Sequence, residues 1–159
     1  MATRYPLPDL AKVKLMLGLL YDGLEVRPGK KFDIVPASGS WIGLYVADDG
    51  APVAACVADV ALAANASAAL SMLPPAVAKD AAKTKELTDV MVQNLREIMN
   101  ICTRLVMDDS SAHLRLDSVY PAKSLPAGAT QLLGALKGRI DFELNVPKYG
   151  PGTLAVLST

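Results

Sequence analysis

Residues 86–106, ELTDVMVQNLREIMNICTRLV, constrain the fold of this chain more than any other stretch, because their two faces are so unequally furnished. Leu87, Met91, Leu95, Ile98, Cys102 and Leu105 recur at steps of three and four, which at 3.6 residues per turn gathers them on one apolar stripe. Such a helix would be about 30 Å long at 1.5 Å per residue, and its stripe has to be covered by a second layer of structure. Opposite the stripe run Gln93, Glu97, Asn100 and Arg104, again at steps of four, three and four. Glu97 and Asn100 are thereby neighbours, with Cβ atoms roughly 5–6 Å apart, on a face free to meet a partner. A carboxylate beside a carboxamide is a candidate reactive pair. The same pair is common on solvated helices, so its meaning depends on what surrounds it.

The surroundings predict an α+β domain. From residue 8 to 22, Leu10, Val13, Leu17, Leu20 and Tyr21 have helical spacing, with Pro8 and Asp9 suited to a first turn and Gly23 to a stop. Residues 24–59 are rich in β-branched and aromatic side chains punctuated by Pro and Gly, and fit two or three strands. The clearest is a hairpin over residues 41–59, turning at Asp48-Asp49-Gly50. Asp59 is placed to cap the alanine-rich segment VALAANASAALSML, whose small side chains permit close approach to a sheet or helix, and Pro74-Pro75 end it. AVAKDAAKTKE reads as a connecting turn or short helix, HLRLDSVY as a strand, and AGATQLLGALKG as a short helix or irregular loop. RIDFELNV and TLAVL, joined by PKYGPG, form a terminal hairpin. Strands linked mainly by hairpins and grouped on either side of a helical block predict helices packed on a largely antiparallel sheet, in one domain over residues 1–159. At this length a chain can bury roughly 70% of its unfolded surface, and 52% apolar against 20% charged residues supplies the means.

Several function classes find no support. Sixteen basic residues balance sixteen acidic ones, without the clustered cations and interleaved aromatics of a nucleic-acid groove. The opening MATRYPLPDLAKVK lacks a leader pattern, and no apolar run is long enough to span a bilayer, so a cytoplasmic protein without membrane insertion is expected. Cys56 and Cys102 lack metal-site spacing and lie in apolar sequence, where a free cysteine fills core. The lone His113 reads as structural or exposed, and Asp48-Asp49 and Asp108-Asp109 as turn formers. Nucleotide-binding loops, GxSxG and HExxH are absent.

The ExxN of LREIMNI follows the strand hairpin SWIGLYVADDGAPVAACVAD and an alanine-rich helix, and precedes strands ending in YGPGTLAVLS. In order and spacing over most of its length the chain resembles the CheC/CheX/FliY family of chemotaxis phosphatases, and in particular the single-motif CheX type. Members dephosphorylate the response regulator CheY on a receiver-domain aspartate that holds Mg²⁺. The resemblance implies that Asn100 orients the attacking water and Glu97 engages a lysine of the receiver; Gln93 and Arg104, on the same helix face, are candidate partner contacts. It implies no cofactor in this chain, because the Mg²⁺ belongs to the receiver, and it implies a homodimer paired through sheets. The sequence departs from the family pattern in three places. Ile101-Cys102-Thr103-Arg104 replaces the small residues usual after the Asn, Gln93 stands where Asp or Ser is common, and Pro121 matches the downstream proline only loosely. These departures keep a second reading open, a non-catalytic interaction module on the same scaffold that binds a signalling partner.

Overall fold

A computed structural model describes residues 5–159; residues 1–4, which open the stretch read as lacking a leader, lie outside the described residues. Six strands form one sheet: β1 (Glu25–Pro28), β2 (Trp41–Val46), β3 (Pro52–Ala58), β4 (Arg115–Pro121), β5 (Gly138–Val146) and β6 (Gly150–Ser158). Their spatial order is β1-β5-β6-β3-β2-β4, and every pairing is antiparallel. Among the described residues five α-helices accompany it: α1 (Leu10–Gly18), α2 (Val60–Leu70), α3 (Pro75–Thr84), α4 (Asp89–Cys102) and α5 (Ala127–Gly134). The expected α+β architecture is the observed one.

The two faces of the sheet are covered differently. On one, α1, α2 and α4 pack over Tyr45, Cys56, Phe142, Leu144, Leu154 and Val156. On the other, Ala129 and Leu132 of α5 cover Ile42, Leu44, Val57 and Leu157, with Phe32 and Ile34 beside them. α3, the segment read as a turn or short helix, is a ten-residue helix that joins α2 and α4 through Ala64, Ala68, Ala78, Ala81 and Met91. The close approach that the alanines allow is used on the sheet side as well. A Cβ on Gly152 of β6 would lie 2.4 Å from the Leu62 backbone nitrogen, so the first turn of α2 rests on bare strand. The Asp59 carboxylate accepts from the Leu62 N–H (2.8 Å) and the Thr153 N–H (3.1 Å), capping α2 and tying it to β6 together.

Of the three strands within residues 24–59, β1 is a short edge strand; Pro28 sits opposite Phe142 without breaking the pairing, since the Gly29 N–H still donates to the Asp141 carbonyl (2.9 Å). The chain then crosses to the other face, where the Arg139 guanidinium pairs with Asp141 (2.9 Å) and donates to the Phe32 carbonyl (2.7 Å). Cys56 and Cys102 are free and buried, as core-filling residues are. The acidic pairs sit in turns: the Asp49 carboxylate accepts from the Ala51 N–H, and Asp108 from the Ser110 N–H and hydroxyl. His113 precedes β4 and is exposed, with Nδ1 3.2 Å from the Asp48 carboxylate.

Candidate functional site on α4

The long helix is shorter than its periodicity suggests, and its ends explain why. At the start Thr88 leaves the helical path and its hydroxyl accepts from the Met91 N–H (3.3 Å), with Asp89 following in the favourable first turn. At the end the Thr103 N–H turns to the Asn100 carbonyl, and residues Thr103–Val106 continue as a tighter 3-10 turn. The stripe nevertheless packs inward as its spacing requires: Met91, Leu95, Ile98, Cys102 and Leu105 are buried, and Leu87 half-buried.

Three contacts set the rotation of α4 about its axis. The buried Tyr45 hydroxyl of β2 donates to the Met99 carbonyl (2.5 Å). Beneath the same residue lies Gly43, where a Cβ would come within 2.9 Å of the Met99 Cβ and Cγ, so only a glycine lets the helix sit this low on the sheet. On the flank, the Asn94 amide donates to the Ser67 carbonyl (2.9 Å) and the Ser71 hydroxyl (2.8 Å), linking α4 to α2. With the inner face held at Met99 and the α2 side held at Asn94, Glu97 and Asn100 are turned outward.

All four residues singled out from the sequence are exposed: Gln93, Glu97, Asn100 and Arg104. Glu97 and Asn100 come together in a shallow open depression between α4 and β4, whose other lining residues are Arg96 and Leu116. Gln93, one turn earlier, and Arg104, on the 3-10 turn, lie outside that lining. The two asparagines of α4 have different fates. Among the described residues the Asn94 amide is consumed by α2, whereas neither the Asn100 amide nor the Glu97 carboxylate has an internal partner. An amide and a carboxylate left open on a rigid helix can meet groups brought by another molecule at little cost in reorganisation.

Arg96 and Leu116 were not singled out from the sequence. Arg96 could have been found there, since it stands four residues before Asn100 and therefore one turn away on an adjoining face. Leu116 could not, because only the pairing of β4 at the sheet edge brings it beside α4. Elsewhere on β4, the Tyr120 phenol donates to the Asp117 carboxylate (2.6 Å). That bond, with burial and the Asp117 charge, holds the phenol above its ordinary pKa, while the positive charge of Arg96 pulls the other way. A separate cleft of about 380 Å³ at the N-terminal end of α4, walled by Trp41, Leu87, Val92 and Pro121 with Lys85 and Lys123 at its rim, contains none of the four predicted residues. Among the described residues no group of three or more His, Cys, Asp or Glu side chains converges, and no helix is long and apolar enough to cross a membrane.

No family model and no curated protein matches the sequence. Solved structures do match. The middle domain of FliM from H. pylori superposes with a TM-score of 0.51 at 10% identity, covering 94% of this chain and 82% of that one. CheX in the CheX–CheY–BeF3–Mg²⁺ complex from Borrelia burgdorferi superposes with a TM-score of 0.53 at 12% identity, covering 94% of this chain and 97% of that one. The chain has the fold these proteins share, and the CheX-like architecture implied by the resemblance is the one found.

Proposed function

We propose that this chain hydrolyses the phospho-aspartate of a response-regulator receiver. In this reading Asn100 holds the attacking water in line with the phosphorus, Glu97 engages a lysine of the receiver, and Gln93 and Arg104 touch the partner on either side. The Mg²⁺ is part of the receiver's own site. The observation that carries the reading is the open Glu97–Asn100 pair, partnerless within the described chain and facing one depression, on a fold whose relative CheX was crystallised with CheY. An acyl phosphate is already activated, so the helper has to supply positioning and charge rather than a nucleophile of its own. A hundredfold acceleration corresponds to about 2.7 kcal/mol, within the reach of one or two well-aimed polar groups.

The test follows dephosphorylation of a panel of phosphorylated receivers mixed with the purified protein. Faster decay with at least one receiver, abolished by Asn100→Ala, is expected; unchanged decay with all of them, or full activity in the variant, refutes the catalytic role. Tight binding without phosphate release would favour the interaction-module reading. A homodimer belongs to the same proposal and predicts twice the chain mass in solution.

A further inference from the structure

The geometry points to Arg96 as a second catalytic residue, one that contacts the phosphoryl oxygens of the receiver's phospho-aspartate while Asn100 directs the water. This rests on the function proposed above and adds a role that the ExxN pair does not contain. Arg96 lines the same depression as Glu97 and Asn100, one helical turn before the amide, on the side facing β4. Its guanidinium is exposed and has no carboxylate within ion-pair distance among the described residues, unlike Arg27, which pairs with Glu25 and Glu143, and Arg139, which pairs with Asp141. The carboxylate that β4 carries, Asp117, accepts from Tyr120. Arg104, the other cation of this face, does not line the depression.

The charges sort themselves on docking. Glu97 is matched by the receiver's lysine, which leaves the Arg96 cation beside Asn100 free to take an anion. The phosphoryl group is that anion, because the water held by Asn100 must approach its phosphorus. In the reaction a bond forms between the water oxygen and phosphorus while the bond from phosphorus to the aspartyl oxygen breaks. The electron pair returns to the receiver's carboxylate, and both water protons leave with the product as dihydrogen phosphate. Charge is spread over the phosphoryl oxygens at the transition state, and a planar guanidinium presents paired donors to two of them.

The experiment compares wild type, Arg96→Ala, Arg96→Lys and Asn100→Ala in two measurements: single-turnover dephosphorylation at saturating phospho-receiver, and affinity for the same receiver with and without beryllofluoride as the phosphoryl mimic. Loss of Arg96 is expected to slow turnover by about a hundredfold, on the scale of removing one charge-stabilising donor. It should also abolish the preference for the beryllofluoride-loaded receiver, and Arg96→Lys should restore part of both. Asn100→Ala should lose turnover yet keep the preference. The inference is overturned if Arg96→Ala keeps both rate and preference, or weakens loaded and unloaded receiver equally, as a general docking contact would. If the wild-type protein binds receivers without hydrolysing them, the phosphatase reading fails on its own. The beryllofluoride preference then still decides Arg96: its loss in Arg96→Ala supports the contact, and its survival ends it.

Discussion

Tyr45→Phe isolates the hydrogen bond that ties the helix carrying the site to the sheet beneath it. The side chain is fully buried, and its ring packs unchanged as phenylalanine, so the substitution removes little beyond the hydroxyl that donates to the Met99 carbonyl. Burial, together with the neighbouring Cys56 and Cys102 thiols, pushes the phenol pKa well up, so the group is a neutral donor at neutral pH. A hydrogen bond of this kind contributes about 1 kcal/mol net, and an acceptor left dry and unpaired costs about 1–3 kcal/mol, which sets an expected loss of about 1–2 kcal/mol. For a chain of this size that lowers the melting temperature by about 2–8 °C. Urea unfolding followed by circular dichroism measures it, with Tyr120→Phe as the control, since that hydroxyl bonds to an exposed carboxylate at the sheet edge and should cost under about 0.5 kcal/mol. Met99 and Asn100 are consecutive, so loosening the anchor also displaces the amide. A misplacement of about 1 Å can cost as much as a hundredfold in rate, and turnover of Tyr45→Phe should fall even well below its melting temperature. Equal stability of Tyr45→Phe and wild type, or an equal loss in Tyr120→Phe, would show that this bond does not hold α4 in place.

The paired substitution of Glu97 and Asn100 by alanine should change the unfolding free energy by no more than about 0.5 kcal/mol, because both side chains are exposed and lack internal partners among the described residues; a larger loss would assign them to the fold. Asp59 gives a pH signature. Burial raises its pKa above the ordinary 3.8 against the opposing hydrogen bonds from Leu62 and Thr153, so the folded protein holds this proton more tightly than the unfolded chain does. Its contribution is therefore favourable below the unfolded value and is lost as pH rises through the folded one. Asp59→Asn keeps a capping oxygen without the buried charge and should be at least as stable as wild type at neutral pH, with the difference shrinking on acidification. A variant less stable at neutral pH would mean that the ionised carboxylate helps the fold.

The fold was legible wherever one physical rule acted alone. The Trp41–Val46 and Pro52–Ala58 hairpin and the terminal pair β5 and β6 follow from strand-forming residues and turn signals, and the inward stripe of α4 from helical periodicity, none of which tertiary contacts overrode. Where rules competed, the reading stopped short. AVAKDAAKTKE is helix-permissive but polar, and it is a full helix because Ala78 and Ala81 fit against Ala64 and Ala68 of α2. AGATQLLGALKG carries three glycines, yet its first part is helical because Ala129 and Leu132 close the second face of the sheet.

For the site, the sequence by itself placed Glu97 and Asn100 side by side, since a helical repeat fixes neighbours three residues apart whatever the rest of the chain does. It also put them opposite the stripe, and so outside. Only the tertiary structure decided that the Asn94 amide is spent on α2 while that of Asn100 is left open, that Arg104 stands clear of the depression, and that Arg96 and Leu116 complete it. Those outcomes depend on where β4 joins the sheet edge and on how low α4 rides over Gly43. Contacts between residues far apart in the chain are set by packing, which no single-helix pattern contains.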